Sequence, residues 1–220
     1  MAVKGATFDI GGVIYSDDVF KKAIFQALIE LGADVEVARF NQVYDDHLKS
    51  QTGSLRSKLC VEFFGNLEKK SELMAAATEL WVFTEADLYP EALNTIAKLS
   101  DRGLKIGLVA NQPPSVVESL KRDGIFNFIK FAGISALVGV EKPDPKIFEL
   151  ALEGLGVSAS ETIHIGNRID TDVLPAKKLG FKTIWVRRGE ANPEPTASDL
   201  AEPTFVVDDL LNVPELIQTL

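Results

Sequence analysis

Cysteine and histidine are scarce in this chain of 220 residues, which has one Cys and two His. The single cysteine, Cys60, excludes an intrachain disulfide and a thiolate metal cluster. Two histidines alone do not make a zinc site, and His164 lies within a predicted strand, where we expect it to pack in the core. Long hydrophobic runs are also missing: no stretch approaches the roughly 20 apolar residues of a membrane span. We expect no signal peptide and no membrane association, and the default location is cytoplasmic.

Positive charge is in deficit as well, since 23 Lys and Arg face 32 Asp and Glu, for a formal net charge of -9. Nucleic acids and anionic membranes both require basic patches, so neither is expected as the main partner. A few local cations can still hold a small anionic substrate, and that is the partner we expect. Nothing in the sequence indicates an oligomeric state.

Six short apolar runs are spread along the chain, and from residue 90 onward amphipathic segments separate them. The runs are GATFDI, LKIGLVA, FIKFAGIS, TIHIG, KTIWVRR and TFVVDD. Several of the segments between them end in Gly and sit beside Pro or Asp, which is typical of helix boundaries. Strands that alternate with helices through short connections predict a parallel sheet with helices on both faces, an α/β fold of the Rossmann-like kind.

Residues 17–88 break this alternation, because they contain helical segments without strands between them. Apolar residues recur there at steps of three and four, as in Phe20, Ile24 and Leu28. We therefore predict a core domain at residues 1–16 and 89–220 and a small helical bundle at 17–88. Inserted after the first strand, that bundle would cap the carboxyl edge of the sheet, where such sheets bind ligands.

An acidic residue, Asp9, ends the first predicted strand in VKGATFDIGGVIYSDD. A carboxylate between Phe8 and Ile10 is costly to bury unless it is paired or functional. The glycines that follow it suit a tight turn or a close approach to a ligand. After the strand KIGLVA, Asn111 and Gln112 add side-chain donors, although by themselves they also fit an ordinary turn before a helix.

Two later strands are also followed by polar residues. Lys142, in GVEKPDPKIF, would neutralise a strand-end carboxylate and an anionic substrate if it were fixed beside them, although most lysines near loops are solvated. In HIGNRIDTDV, Asp170 or Asp172 fits a helix cap, but together with Asn167 they also stand within reach of Asp9. Oxygen ligands gathered at that edge indicate a Mg²⁺ site.

Together these stretches resemble the haloacid dehalogenase superfamily, whose members are mostly Mg²⁺-dependent phosphatases. FDIGGVI, LVANQ, EKPDP and HIGNRIDTDV resemble its four motifs in their order and spacing. The resemblance implies that Asp9 is a nucleophile that forms an aspartyl-phosphate. It implies that Lys142 orients this nucleophile and offsets charge in phosphoryl transfer, with Asn111 and Gln112 as further phosphate donors. The implied Mg²⁺ site comprises Asp9, the carbonyl of Gly11, Asn167 and Asp172.

Three positions depart from the family pattern. Gly11 stands where the phosphatases carry an Asp that acts as general acid and then as general base, and such a loss typically costs on the order of 10²–10⁴-fold in rate. Ala110 replaces a Ser or Thr that would bind the phosphate. Asn167 replaces an Asp that ligates Mg²⁺, which weakens the site because a charge is lost. We therefore expect weak or atypical activity and poor turnover of an ordinary alkyl phosphate.

Three functions are compatible with this pattern, and we favour them in the following order. The first is a phosphatase-type hydrolase of a small phosphorylated metabolite, and the second is an inactive descendant that binds a ligand or protein. The third is a metal-free 2-haloacid dehalogenase, in which Arg39 or Arg56 would receive the substrate carboxylate, although Ala110 counts against it. The cap residues that we expect to set specificity are Tyr44, His47, Arg56 and Lys58.

Overall fold

The computed structural model describes residues 2–220 and contains one parallel sheet of six strands, in the order β3-β2-β1-β4-β5-β6. The strands are β1 (Gly5–Phe8), β2 (Lys105–Ala110), β3 (Ile129–Ile134), β4 (Thr162–Gly166), β5 (Lys182–Val186) and β6 (Phe205–Val207). Every residue of β1 and β4 is buried, as expected for central strands of a parallel sheet that is covered on both faces. The predicted α/β fold is confirmed.

Eleven α-helices accompany the sheet in the described part of the chain. They are α1 (Asp18–Glu30), α2 (Val37–Ser50), α3 (Leu55–Phe64), α4 (Lys70–Leu80), α5 (Ala92–Asp101), α6 (Val116–Arg122), α7 (Ser135–Val138), α8 (Pro145–Leu155), α9 (Leu174–Lys178), α10 (Ala197–Ala201) and α11 (Val213–Gln218). A π-helical turn at Ile169–Val173 precedes α9. Helix α8 shows the expected start, because the Asp144 side chain accepts a hydrogen bond from the amide of Lys146 at 2.8 Å.

The register of the central strands places several strand ends at one edge. Phe8 of β1 pairs with Leu108 of β2 on one side and with Ile165 of β4 on the other. Each of these strands ends within two residues of that row. The loops that follow them therefore leave the sheet together, as carboxyl ends of parallel strands do.

Helices α1 to α4 lie between β1 and β2 in the chain, without a strand among them. Helix α1 packs against α4 and buries Phe20, Ile24 and Leu28, the residues with the helical spacing in the sequence. The bounds of the cap domain, residues 17–88, remain a prediction. Across residues 2–220, no helix is both long enough and apolar enough to span a membrane.

Candidate active site

Asp9, Lys142 and Asp172 form a buried ionic cluster at the carboxyl edge of the sheet. The ammonium of Lys142 lies 2.9 Å from Asp9 Oδ1 and 2.5 Å from Asp172 Oδ1. Asp9 also accepts a hydrogen bond from the amide of Ile10 at 2.8 Å, again on Oδ1. Both contacts use the same oxygen, so Asp9 keeps Oδ2 for chemistry.

A second layer of polar residues fixes Asp172. Its Oδ1 also lies 3.2 Å from His164 Nε2, and its Oδ2 accepts a hydrogen bond from the amide of Arg168 at 3.0 Å. On its other side, His164 Nδ1 lies 2.9 Å from the hydroxyl of Thr7. His164 is thus a buried core residue of β4, as expected, and it also takes part in a polar chain that the sequence pattern did not reveal.

The charges of this cluster are set by burial and by the shared lysine. Burial opposes the charged form of Lys142, but Asp172 and Asp9 outweigh it and raise its pKa. Burial also opposes ionisation of Asp172, yet Lys142 and His164 together hold the pKa of that carboxyl well below its usual range. Burial raises the pKa of Asp9 to about 6, although Lys142 counteracts this shift. Asp172 is therefore the permanent anion, and Asp9 is the carboxyl of higher proton affinity.

Asn111 and Gln112 have different surroundings although they are adjacent. Asn111 donates from Nδ2 to the carbonyl of Lys142 at 2.9 Å, and its Oδ1 accepts from the amide of Lys142 at 2.7 Å. Its side chain therefore holds the loop that carries the lysine. Gln112 is 5% exposed, and among residues 2–220 its buried Oε1 has no hydrogen-bond partner. Of the two amides, Gln112 is the one with a free polar atom for a ligand.

These residues line a cavity of about 460 Å³ between the sheet edge and the inserted helices. Two of the four predicted cap residues, His47 and Arg56, line it. Tyr44 instead donates its hydroxyl to Glu190 at 2.5 Å, and Lys58 donates to Ser50 at 3.1 Å. Among the arginines proposed for a dehalogenase, Arg39 is paired with Glu62 at the surface and Arg56 reaches the cavity.

The oxygen donors at the cavity floor suit a hard divalent cation. Asn167 donates from Nδ2 to Asp17 at 2.9 Å and to the carbonyl of Arg188 at 3.2 Å, which leaves its Oδ1 for a cation beside Asp9 and the carbonyl of Gly11. Asp172 has both oxygens engaged, so it would support this site from behind. No group of three His, Cys, Asp or Glu with metal-binding geometry occurs in residues 2–220, so the set would be of mixed oxygens.

Comparison with known proteins identifies the family. A model of the haloacid dehalogenase-like hydrolase family matches residues 3–180. The chain belongs to the haloacid dehalogenase-like hydrolases. A glyceraldehyde 3-phosphate phosphatase of Methanopyrus kandleri is 29% identical over 228 residues, covering 96% of this chain and 97% of its own. A phosphoserine phosphatase of Thermus thermophilus is 36% identical over 127 residues, which are 57% of this chain and 49% of its own.

Solved structures share the fold of this haloacid dehalogenase-like hydrolase. A predicted phosphoglycolate phosphatase from Haemophilus somnus superposes with a TM-score of 0.78 at 18% identity, over 97% of both chains. At that identity the likeness concerns the fold alone. It confirms the predicted parallel sheet with flanking helices, while the family match confirms the superfamily resemblance.

Sequence reasoning missed one acidic group in this family member's site, Asp17. Its Oδ2 accepts hydrogen bonds from Asn167 Nδ2 at 2.9 Å and from the amide of Glu190 at 2.8 Å. Burial, followed by the nearby carboxylate of Glu190, raises the pKa of Asp17 well above its usual range. The only signal in the sequence is its position before α1, where an aspartate is normally interpreted as a helix cap.

Proposed function

We propose that this protein is a phosphomonoester hydrolase that uses Asp9 as its nucleophile and acts on a small phosphorylated metabolite. The observation that carries the proposal is the ionic contact of 2.9 Å between Asp9 and Lys142 on the wall of the cavity. A buried carboxylate with one free oxygen beside a fixed cation suits attack on an electrophile that carries negative charge. The curated relatives named above, which carry phosphatase names, support the same reaction class.

In the proposed reaction, Oδ2 of Asp9 attacks phosphorus and forms an aspartyl-phosphate, and the bond to the leaving oxygen breaks. Lys142 holds Oδ1 of Asp9 and leaves Oδ2 for the attack, and its charge offsets the negative charge of the transferring group. Asp172 keeps Lys142 in place from behind at 2.5 Å. Water then cleaves the aspartyl-phosphate and regenerates Asp9.

Phosphate oxygens need donors at the end of β2, where Ala110 has no hydroxyl. Gln112 supplies the donor Nε2, which borders Gly11, while Asn111 positions the Lys142 loop through both of its polar atoms. The proposed phosphate contacts are therefore Lys142 and Gln112, with Asn111 acting through the backbone of the lysine.

A Mg²⁺ ion, when bound, would supply positive charge to the phosphoryl oxygens. We propose that Asp9, the carbonyl of Gly11 and Asn167 hold it, with Asp172 behind them. Asn167 contributes an amide oxygen in place of a carboxylate, so the binding is expected to be weak. Because residue 11 has no side chain, the proton for the leaving oxygen must come from elsewhere, and this makes the proposed activity atypical.

The substrate class follows from the cavity. Its volume of about 460 Å³ suits a small metabolite, and Arg56 lines it from the inserted helices. Among the described residues, the buried Nε of Arg56 has no hydrogen-bond partner. An arginine at the cavity wall with an unpaired donor suits a second anionic group, such as a carboxylate or another phosphate.

The first test measures release of inorganic phosphate from a panel of acyl, aryl and alkyl phosphates, with purified protein and MgCl₂. We expect turnover by the wild type, and a loss of at least about 10³-fold in the Asp9→Asn variant because the nucleophile is removed. Asp18→Asn, at an exposed position in the first turn of α1, is the matched control and should retain full activity.

The alternatives appear as other outcomes of the same panel. Absence of phosphate release from every ester would contradict the proposal and favour the non-catalytic binding protein. Chloride release from a 2-haloacid without added metal would favour the dehalogenase instead.

A further inference from the structure

The side-chain space that Gly11 leaves open is filled by another residue. A Cβ built on Gly11 would lie 2.3 Å from Oδ1 of Asp17, which is far inside any allowed contact. Cβ atoms on Gly12 and Gly189 would lie 2.5 and 2.2 Å from Oδ2 of the same carboxylate. Three glycines from two distant loops therefore surround Asp17, and a side chain on any of them would collide with that carboxylate.

The side chain of Asp17 does not serve the helix that it precedes. It occupies the N-cap position of α1, yet it makes no capping hydrogen bond there within residues 2–220. Its Oδ2 is held instead by Asn167 and by the amide of Glu190. Within residues 2–220, its Oδ1 makes no hydrogen bond. This oxygen stands beside Gly11, in the cavity that Asp9 also lines.

A second group is aimed at the same space. Nε2 of Gln112 would lie 3.4 Å from a Cβ on Gly11, so the Gln112 amide borders the position of the missing side chain. Gln112 is 5% exposed, and its Oε1 is buried without a partner among residues 2–220. A buried polar atom without a partner is costly unless a ligand completes it. The leaving group of a bound ester would meet both Asp17 and Gln112 here.

We propose that Asp17 is a catalytic residue that supplies the carboxyl function absent at Gly11, reaching the leaving oxygen from the start of α1. This inference rests on the proposed function and adds the proton donor and acceptor that the proposed hydrolysis needs.

The protons of the two steps balance when Asp17 is the donor in the first step and the acceptor in the second. As Asp9 attacks phosphorus, the bond between phosphorus and the leaving oxygen breaks, and the Asp17 carboxyl gives its proton to that oxygen, so that a neutral alcohol departs. In the second step, the Asp17 carboxylate takes a proton from the water that attacks the aspartyl-phosphate. Inorganic phosphate leaves, and Asp9 and Asp17 return to their starting forms.

The leaving-group dependence of hydrolysis tests this role, because only a poor leaving group needs the proton. We expect Asp17→Asn to lower kcat/KM, which reports the steps up to departure of the leaving group, by about 10²–10³-fold for an alkyl phosphate and by less than about 10-fold for 2,4-dinitrophenyl phosphate. Asp18→Asn should change neither. Equal losses on both esters, or no loss on either, would overturn the inference while leaving a hydrolase that depends on Asp9 intact.

A relocation experiment tests the same idea without assuming that each single variant stays active. Gly11→Asp should lower the midpoint of urea unfolding, because the new side chain collides with Asp17, and it should lower alkyl phosphatase activity. Combining it with Asp17→Gly should restore both the midpoint and at least one tenth of wild-type activity on the alkyl ester. A double variant less active than Gly11→Asp would contradict the inference. Failure of the wild type to release any phosphate would instead remove the proposed function.

Discussion

At the scale of single residues, Lys142 dominates the electrostatics because two buried carboxylates share its ammonium group. Removing one partner of such a buried cluster leaves a charge without compensation, which typically costs about 3–5 kcal/mol. Asp9, Lys142 and Asp172 were predicted from the sequence, since each lies within a recognisable motif. Their meeting in space is a product of the parallel register.

The contacts of Asp17 could not be predicted from single residues of the sequence. Its hydrogen-bond partners are Asn167 and Glu190, which are 150 and 173 positions away in the chain. No local pattern encodes such contacts, and an aspartate before a helix has a simpler interpretation as a cap. Gly11 was noticed as a departure from the family pattern, but only the folded chain shows what occupies its space.

Arg56 provides a prediction at this scale. We expect Arg56→Gln to raise KM for a phosphoester that bears a carboxylate by roughly 10-fold or more, because a charge-assisted hydrogen bond is lost, and to change kcat little. Steady-state kinetics on that ester and on a phosphoester without a second anionic group would check this result.

Lys58→Gln is the matched control, since Lys58 lies on the same helix and bonds to Ser50 away from the cavity lining. An unchanged KM in Arg56→Gln, or an equal rise for the ester without a second anionic group, would show that Arg56 does not contact the substrate's second anion.

At the scale of elements, α2 and the loop after it connect the inserted helices to the sheet edge through polar contacts. His47 of α2 lies 3.4 Å from a guanidinium nitrogen of Arg168, and the side chain of Gln51 accepts a hydrogen bond from the amide of Ile169 at 3.2 Å. Tyr44 donates to Glu190. The helical periodicity of α1 was readable in the sequence, whereas these contacts depend on how the helices sit on the core.

The free energy of unfolding should depend on pH through His47, which takes part in this contact. Burial, together with Arg168 and Lys58, lowers the pKa of His47 to about 4, and Asp170 opposes this only in part. Between pH 6.5 and 4 the unfolded chain binds a proton that the folded chain rejects, so the free energy of unfolding falls as pH falls through this window.

Relative to a His47→Gln variant, we expect the wild type to lose about 1–2 kcal/mol between pH 6.5 and 4.5. Urea unfolding at both pH values measures this difference. His164 is present in both proteins, so its own titration cancels. Parallel losses in the two proteins would contradict the lowered pKa of His47.

At the scale of the whole molecule, the charge distribution reconciles an acidic protein with an anionic substrate. The net charge is -9, yet the cavity is lined by Arg56, Lys142 and Arg168. Acidic groups at the floor face these cations, which suits a divalent metal and a phosphoryl group bound together. Composition argued against nucleic acid as a partner, and the local cations depend on the tertiary structure.

Coupled binding tests this arrangement. By calorimetry, we expect orthovanadate, a phosphate mimic, to bind the wild type at least about 10-fold more tightly with MgCl₂ than with NaCl of equal ionic strength, because each ligand offsets the charge of the other. Asn167→Ala should reduce this coupling. Identical affinities in the two salts would contradict a joint site and favour the non-catalytic interpretation.

The sequence by itself determined the fold class, the family and the motif residues Asp9, Lys142 and Asp172, because strand and helix periodicity and the motif spacing are local properties of the chain. Only the tertiary structure decided that two carboxylates share one lysine, which atoms of Asn111 are engaged, and that Asp17 stands in the space left by Gly11. Those features arise from contacts between residues far apart in the chain, which exist only once the sheet edge and the inserted helices have come together.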